Sequence, residues 1–233
     1  MALSERSATD IGKFVPILRG SHVMVHQEVG LTNVERKNLA SMWGTGERGF
    51  GQISPRLHLK MDDTEIVMRE FADLVRMYDA APRHVTEPVG MVYSTVHGFR
   101  GYISEYVPGR HIANVKNTPI DERRNVAEQL VNAVGMLHSK GATHGDISGH
   151  NARVCRHTKT LKLFDPDTQV GASYQLSMKE RLKVLIDCDV RAVSRFLREL
   201  KILDGSLERV LEACTNRRFI RMLYETPYFR DGK

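Results

Sequence analysis

Cysteine is scarce in this chain of 233 residues. Cys155, Cys188 and Cys214 are odd in number, far apart, and form no C-x-x-C pair. That excludes a disulfide framework and a thiolate zinc site, and it fits a reducing, intracellular (cytoplasmic) compartment. Long apolar runs are missing as well. No uninterrupted stretch is long enough to span a bilayer, and the opening MALSERSATDIGKF has no apolar signal core, so neither a membrane anchor nor a secretory leader is expected. Internal repeats and low-complexity tracts are absent from the sequence. With 41% hydrophobic and 27% charged residues, the composition is that of a folded globular chain rather than a disordered one. Basic residues are in mild excess: Lys+Arg 34 against Asp+Glu 28 leaves a formal charge of +6, which suits anionic ligands such as nucleotides, RNA or acidic peptides.

Apolar periodicity predicts strands early and helices late. SHVMVHQEV (21–29) alternates like a strand, with Val23, Val25 and Val29 to one side. TNVERKNLASMW (32–43) reads as a short helix capped by Thr32 or Asn33, and the glycine-rich GTGERGFG after it is a loop. RLHLKM (56–61) alternates again, with Leu57, Leu59 and Met61 together. Residues 65–80 carry Ile66, Phe71, Leu74, Val75 and Tyr78 at helical spacing. PVGMVYSTV and GYISEYV flank HGFR as a hairpin, and PGR then breaks the pattern. A helix over 119–139 is predicted from Thr118 as cap, Pro119 in the first turn and Asp121 and Glu122 at the positive dipole end. Its stripe is Val126, Leu130, Val131, Val134 and Leu137, with Gly141 as the stop. NARVC and LKLFD form a second hairpin around the basic turn RHTKT, and helices come next over 177–201 and 206–223. This is an α+β chain in two lobes.

The chemistry concentrates in LHSKGATHGDISGHN (137–151), where a helix end is succeeded at once by His144, Asp146 and Asn151. Phosphoryl transfer from ATP needs metal ions to neutralise the triphosphate, a carboxylate to orient the nucleophile's proton, and cations to hold phosphates. Asp146 supplies a carboxylate. Asn151 and Asp165 can supply oxygen ligands for magnesium, and the hairpin between them would bring both to its open end.

His144-x-Asp146-x-x-x-x-Asn151, with LKLFD ending at Asp165, resembles the catalytic loop and metal-binding aspartate of the protein-kinase-like superfamily. LHSKG resembles the end of the helix leading into that loop. REFADLVRMYDAAPRHVTEPVG and GYISEYVPG resemble the αC helix, fourth strand and hinge of small atypical kinases, so the resemblance spans about residues 44 to 200. It implies a bilobal protein-kinase-like fold: residues 1–43 on or part of the N-lobe, a small β-rich N-lobe over 44–107, and a reduced helical C-lobe over 108–233. It also implies ATP and magnesium as cofactors. Asp146 would be the catalytic base and Asn151 and Asp165 the metal ligands. Lys60 would hold the α and β phosphates, with Glu70 as its ion-pair partner. Glu105 to Val107 would line the adenine hinge, and His144 would hold the loop without transferring protons.

The chain departs from the common pattern in several places. H-R-D is H-G-D here, D-F-G is Asp165-Pro166-Asp167, no A-P-E segment is present, and only about 68 residues lie beyond Asp165. These traits are similar to RIO-type kinases and to the small kinase of the tRNA-threonylcarbamoyladenosine complex; Ser148, two residues after Asp146, matches the RIO pattern. An ATP-dependent atypical serine/threonine kinase, with an ATPase-like switch as a variant, is the leading expectation. Aminoglycoside and choline phosphotransferases also use H-G-D…N, so a small-molecule acceptor is the alternative, and a nucleotide-binding pseudokinase a third. Two frames are open for the phosphate-covering glycines. One is GTGERG, with Gly44, Gly46 and Gly49. The other is LRGSHVMV, with Gly20 in the turn and residues 30–52 as an insertion. Asp167 reads as the turn residue that Pro166 dictates. Arg153, Arg156, Lys159 and Lys162 form a basic surface open to RNA or a ribonucleoprotein, against the plainer reading of a solvated hairpin.

Overall fold

A computed structural model describes residues 14–16, 23–26, 31–44, 49–94, 98–167 and 178–202. The fold is mixed α+β. It divides into two compact units, one of Met1–Val75 with Thr86–Val107, the other of Arg76–Val85 with Pro108–Lys233. Among the described residues no helix is long and apolar enough to cross a membrane.

The first unit is built on six strands: β1 (Phe14–Pro16), β2 (Val23–His26), β3 (Gly49–Ser54), β4 (Leu57–Met61), β5 (Pro88–Ser94) and β6 (Gly98–Glu105). They lie in the order β1-β2-β5-β6-β4-β3, every neighbouring pair antiparallel. The period of two in LHLKM divides the strand between two environments, because Leu57 and Leu59 turn to one face and Lys60 to the other. Leu57 and Leu59 join Ile53, Val92, Ile103 and, from helix α1 (Asn33–Gly44), Leu39 in an apolar layer. On the opposite face Lys60 and Tyr102, paired in register, meet Glu70 and Phe71 of helix α2 (Thr64–Ala80).

Thr32, not Asn33, caps α1. Its Oγ1 accepts from the Glu35 N–H at 3.3 Å while Glu35 Oε2 accepts from the Thr32 N–H at 2.8 Å, a reciprocal capping box. In α2 the buried stripe is Val67, Leu74, Met77 and Ala80, with Ile66, Phe71, Val75 and Tyr78 only half-buried. Ile66 and Val67 stand about 100° apart on the helix, so either satisfies the period, and packing selects Val67.

The second unit holds a three-stranded sheet, β7 (Gly109–His111), β8 (Ala152–Cys155) and β9 (Leu161–Leu163), in that order. The break expected at PGR is therefore only local. Gly109 to His111 resume extended structure because β8 offers them a partner, and the Arg156 N–H donates to the Pro108 carbonyl at 2.8 Å. Thr118 does not cap the next helix. Its hydroxyl donates to the Val115 carbonyl at 2.8 Å and closes a 3-10 turn (Ile112–Asn117), leaving Pro119 at the start of α3 (Ile120–Ser139).

All five residues of the α3 stripe are buried. The helix ends in a Schellman motif: Gly141, at φ +74, donates to the His138 carbonyl at 3.1 Å and Ala142 to that of Leu137 at 2.9 Å. Helix α4 (Met178–Glu199) packs on α3 through a stripe that includes Leu185, Ile186, Val190, Val193 and Leu197. The helix expected over 206–223 lies outside the described residues.

Candidate functional site

In the first unit the residues of interest sit on β4, α2 and the end of β6. Lys60 Nζ lies 2.8 Å from Glu70 Oε2, with the two side chains only 18% and 14% exposed. Half-burial strengthens such a pair relative to a surface one, because less water screens it. The strand's alternation and the helix's placement over that face bring together two residues ten positions apart. Glu65 and Asp73 lie on the same helix, Asp73 buried and Glu65 exposed.

Glu105 ends β6, its N–H donating to the Glu87 carbonyl at 2.9 Å and its carboxylate accepting from the Glu87 N–H at 3.2 Å. The Tyr106 N–H donates to the Arg56 carbonyl at 2.8 Å, and Val107 is buried. The segment after β6 is thus tied to the β3–β4 turn. That turn is tied in turn to α1, where Glu35 holds the Arg56 guanidinium by two contacts of 2.9 and 3.0 Å. Arg56, chiefly, lowers the Glu35 carboxyl to about 2.

Both glycine frames fall partly outside the described residues. Gly44 closes α1 and Gly49 opens β3, so the GTGERG segment joins a helix to a strand instead of two strands; Gly46 lies outside the described residues. In the rival frame Gly20 also lies outside them. The strands on either side of it pair with each other, and β2 pairs with β5, at the sheet edge away from β4. The neighbours of the Lys60 strand are β3 and β6. Hydrogen-bond pairing, rather than order along the chain, sets Gly49, at the start of β3, opposite Met61 and next to the partner of Lys60.

The second unit carries the loop. His144 is fully buried. Its Nδ1 accepts from the Asp146 N–H at 3.3 Å, which leaves Nε2 as the donor to the Phe164 carbonyl at 2.9 Å. Its own carbonyl accepts from the Asp167 N–H at 3.0 Å. One histidine therefore pins both ends of the 164–167 segment and fixes Asp165 between them, in the left-handed region at φ 57 that aspartate tolerates better than most residues.

Gly145 sits at φ +82, and a Cβ there would overlap the Asp167 carbonyl. H-G-D is thus required by the D-P-D segment packed against it. Asp146 is exposed, and Asn151 Nδ2 donates to its carboxylate at 2.7 Å and to its carbonyl at 3.1 Å. With its nitrogen committed, the Asn151 amide presents its oxygen on the other side. The Phe164 N–H donates to the Asn151 carbonyl at 3.1 Å, closing the open end of the β8–β9 hairpin beside Asp165. Ser148 Oγ accepts from the His150 and Asn151 N–H groups, both at 3.3 Å, so this serine serves the loop's backbone.

Asp189 holds the arrangement from behind, and sequence reasoning missed it. Fully buried on α4, it accepts from His138 Nε2 at 3.0 Å, the His144 N–H at 2.9 Å and the Gly145 N–H at 2.8 Å. Its sequence signal was a lone carboxylate inside an apolar stripe, four residues from both Leu185 and Val193. Among the basic residues, Lys162 Nζ donates to the Val85 carbonyl at 3.1 Å and Arg153 meets His111, while Arg156 and Lys159 are exposed.

A comparison with protein-family models finds none that matches, and no curated protein matches the chain.

Proposed function

We propose that this chain is an ATP- and magnesium-dependent phosphotransferase with a reduced, bilobal protein-kinase-like fold, and that it acts as an atypical serine/threonine protein kinase of the RIO type. The observation that carries this reading is the rigidity behind Asp146: an exposed carboxylate on a loop whose backbone is tied to the buried Asp189 by two N–H bonds of 2.9 and 2.8 Å. Burying a carboxylate is costly unless its bonds are complete, and here that cost is spent on positioning one solvent-facing acid.

In this reading Asp146 orients the acceptor hydroxyl and takes its proton. The Asn151 amide oxygen and Asp165 carboxylate are hard oxygen donors of the kind magnesium takes, and the bond from Asn151 Nδ2 to Asp146 points that oxygen away from the base. Magnesium, when bound, neutralises charge on the triphosphate. Lys60, kept oriented by Glu70, grips the α and β phosphates. Water in place of the acceptor would give the ATPase-like variant with the same residues.

Gly145 packs so closely on Asp167 that the arginine of H-R-D has no place there, which suits the RIO type and equally a second reading, a small-molecule phosphotransferase of the aminoglycoside or choline type.

The test is incubation of the purified chain with radiolabelled ATP and magnesium, comparing wild type with Asp146→Ala and Asp165→Ala. Label on protein, lost in both variants, is the expected result. Turnover only when a sugar, aminoglycoside or choline is added would favour the second reading. A nucleotide-dependent rise in melting temperature with no turnover would replace both with a pseudokinase.

A further inference from the structure

Helix α4 turns one face into the second unit and the other to solvent. Leu185, Asp189, Val193, Phe196 and Leu197 are buried, whereas Arg191, Arg195 and Arg198 are exposed on the opposite side, at spacings of four and three. Like charges so spaced repel one another, and the helix gains nothing from setting them together. Asp187 and Glu199, one turn before Arg191 and one turn after Arg195, do not neutralise them: among the described residues neither arginine forms an ion pair.

An exposed arginine is ordinarily a solvated charge. Arg195 is set apart by where its one hydrogen bond goes. Its Nη2 donates to the Ile147 carbonyl at 3.3 Å, and its Cζ stands 5.9 Å from the centroid of the buried Phe196 ring. Ile147 directly follows Asp146, and its side chain is buried. The helix that holds the His144 and Gly145 N–H groups through Asp189 therefore also reaches the carbonyl just beyond Asp146. One carbonyl group and one trans peptide step separate that contact from the Asp146 backbone, so the guanidinium lies within roughly 10 Å of the Asp146 Cα. The bond to Ile147 occupies one of five N–H donors and leaves the others for an anion. Neither the proton transfer, the metal ligation nor the phosphate grip uses this cation.

We infer that Arg195, with Arg191 one turn away, recognises an oxyanion on the phosphate acceptor, so that the accepting serine or threonine has an aspartate, glutamate or phosphorylated side chain close by in its own sequence. This rests on the proposed kinase function and names its substrate class. An extended peptide rises about 3.3 Å per residue, so with its hydroxyl at Asp146 the acid that meets Arg195 sits about one to three positions from the acceptor. A guanidinium suits the task because its planar fork matches a carboxylate or phosphate through two parallel bonds. The Ile147 carbonyl and the Phe196 ring hold it in place beforehand, which lowers the ordering cost of binding.

The test measures kcat/KM on the full chain with radiolabelled ATP and magnesium. The probes are alanine-based peptides with one serine, in which a single Asp or a single Lys is moved through the three positions on either side. Wild type is expected to favour at least one Asp peptide over the parent by about five- to tenfold, the range for a well-oriented but solvent-exposed guanidinium–carboxylate contact. Arg195→Ala should bring that ratio to within about twofold of one. Arg195→Glu should invert it, so that Lys at the same position becomes the better substrate, a gain that damaged folding cannot produce. Equal rates for all peptides with wild type would overturn the inference, as would an Asp preference unchanged in both variants. Wild-type protein that labels no peptide would bring down the protein-kinase reading and this inference with it, before any variant is made. Labelling of a sugar phosphate instead would do so in favour of the small-molecule reading.

Discussion

Replacing Asp189 with asparagine changes one oxygen to an NH2 group and almost nothing in volume, so its effect isolates the hydrogen bonds. Asp189 Oδ2 accepts from His138 Nε2 at 3.0 Å and the His144 N–H at 2.9 Å, and Oδ1 accepts from the Gly145 N–H at 2.8 Å. Asparagine retains one acceptor oxygen. Its better orientation keeps that oxygen where Oδ2 was, which leaves the amide NH2 facing the Gly145 N–H, donor against donor in a fully buried place. One charge-assisted bond is lost, about 1.5–3 kcal/mol, and one buried donor is orphaned, about 1–3 kcal/mol; the two overlap, so the expected loss is about 3 kcal/mol. For a chain of this size that is a fall in melting temperature of about 6–12 °C. Thermal denaturation monitored by circular dichroism measures it, and amide hydrogen exchange at Gly145 localises it, with faster exchange expected there than in the α3 core. On the proposed function, phosphotransfer should fall about a hundredfold, since Asp146 is the next residue and displacements near 1 Å have such effects. A melting temperature within about 2 °C of wild type, with Gly145 exchange unchanged, would refute the claim that this buried carboxylate anchors the loop.

Three further outcomes are expected from the same geometry. Gly145→Ala should destabilise by about 2 kcal/mol from its positive φ alone, more with the overlap on the Asp167 carbonyl, and should lower turnover; urea unfolding and MgATP kinetics read the two effects. On the proposed function, Lys60→Met and Glu70→Gln should each weaken MgATP binding by about tenfold, Lys60→Met more, while Asp146→Asn leaves binding intact and removes turnover; calorimetry beside a radiometric assay separates them. The Glu35 carboxyl lies at about 2 in the folded chain against an ordinary 4.5, chiefly because of Arg56. Its folded value is the lower one, so its contribution is complete above about pH 5 and fades as pH falls toward 2. Arg56 is largely exposed, so solvent screening leaves about 1–2 kcal/mol, and Glu35→Gln should flatten that part of a urea-midpoint curve measured from pH 3 to 6.

Local pattern carried much of the way. The α3 stripe from Val126 to Leu137, the Gly141 stop and the β8–β9 hairpin are all short-range consequences of spacing and of glycine's access to positive φ, so they could be read directly. The position of Lys60 opposite Leu57 and Leu59 is also a matter of period two, and the choice of Glu70 comes with a helix laid over that face. Reading failed where two local solutions were equally good and a distant partner decided between them. Thr118 could cap a helix or close a 3-10 turn, and took the Val115 carbonyl. Gly109 to His111 could be a break or a strand, and β8 made them a strand.

The amino-acid sequence by itself determined the α+β alternation, the extent of most elements, and the residue types gathered in HGDISGHN, because these depend on propensities and periods that act over a few residues. Tertiary structure alone decided that β1 and β2 join the sheet beside β5 rather than β4, that Asp189 reaches 45 residues back to hold His144, and that Arg153 lies against Phe164 and His111. Each of these is a pairing between segments remote in the chain, selected by which buried hydrogen bonds and apolar faces can be completed together.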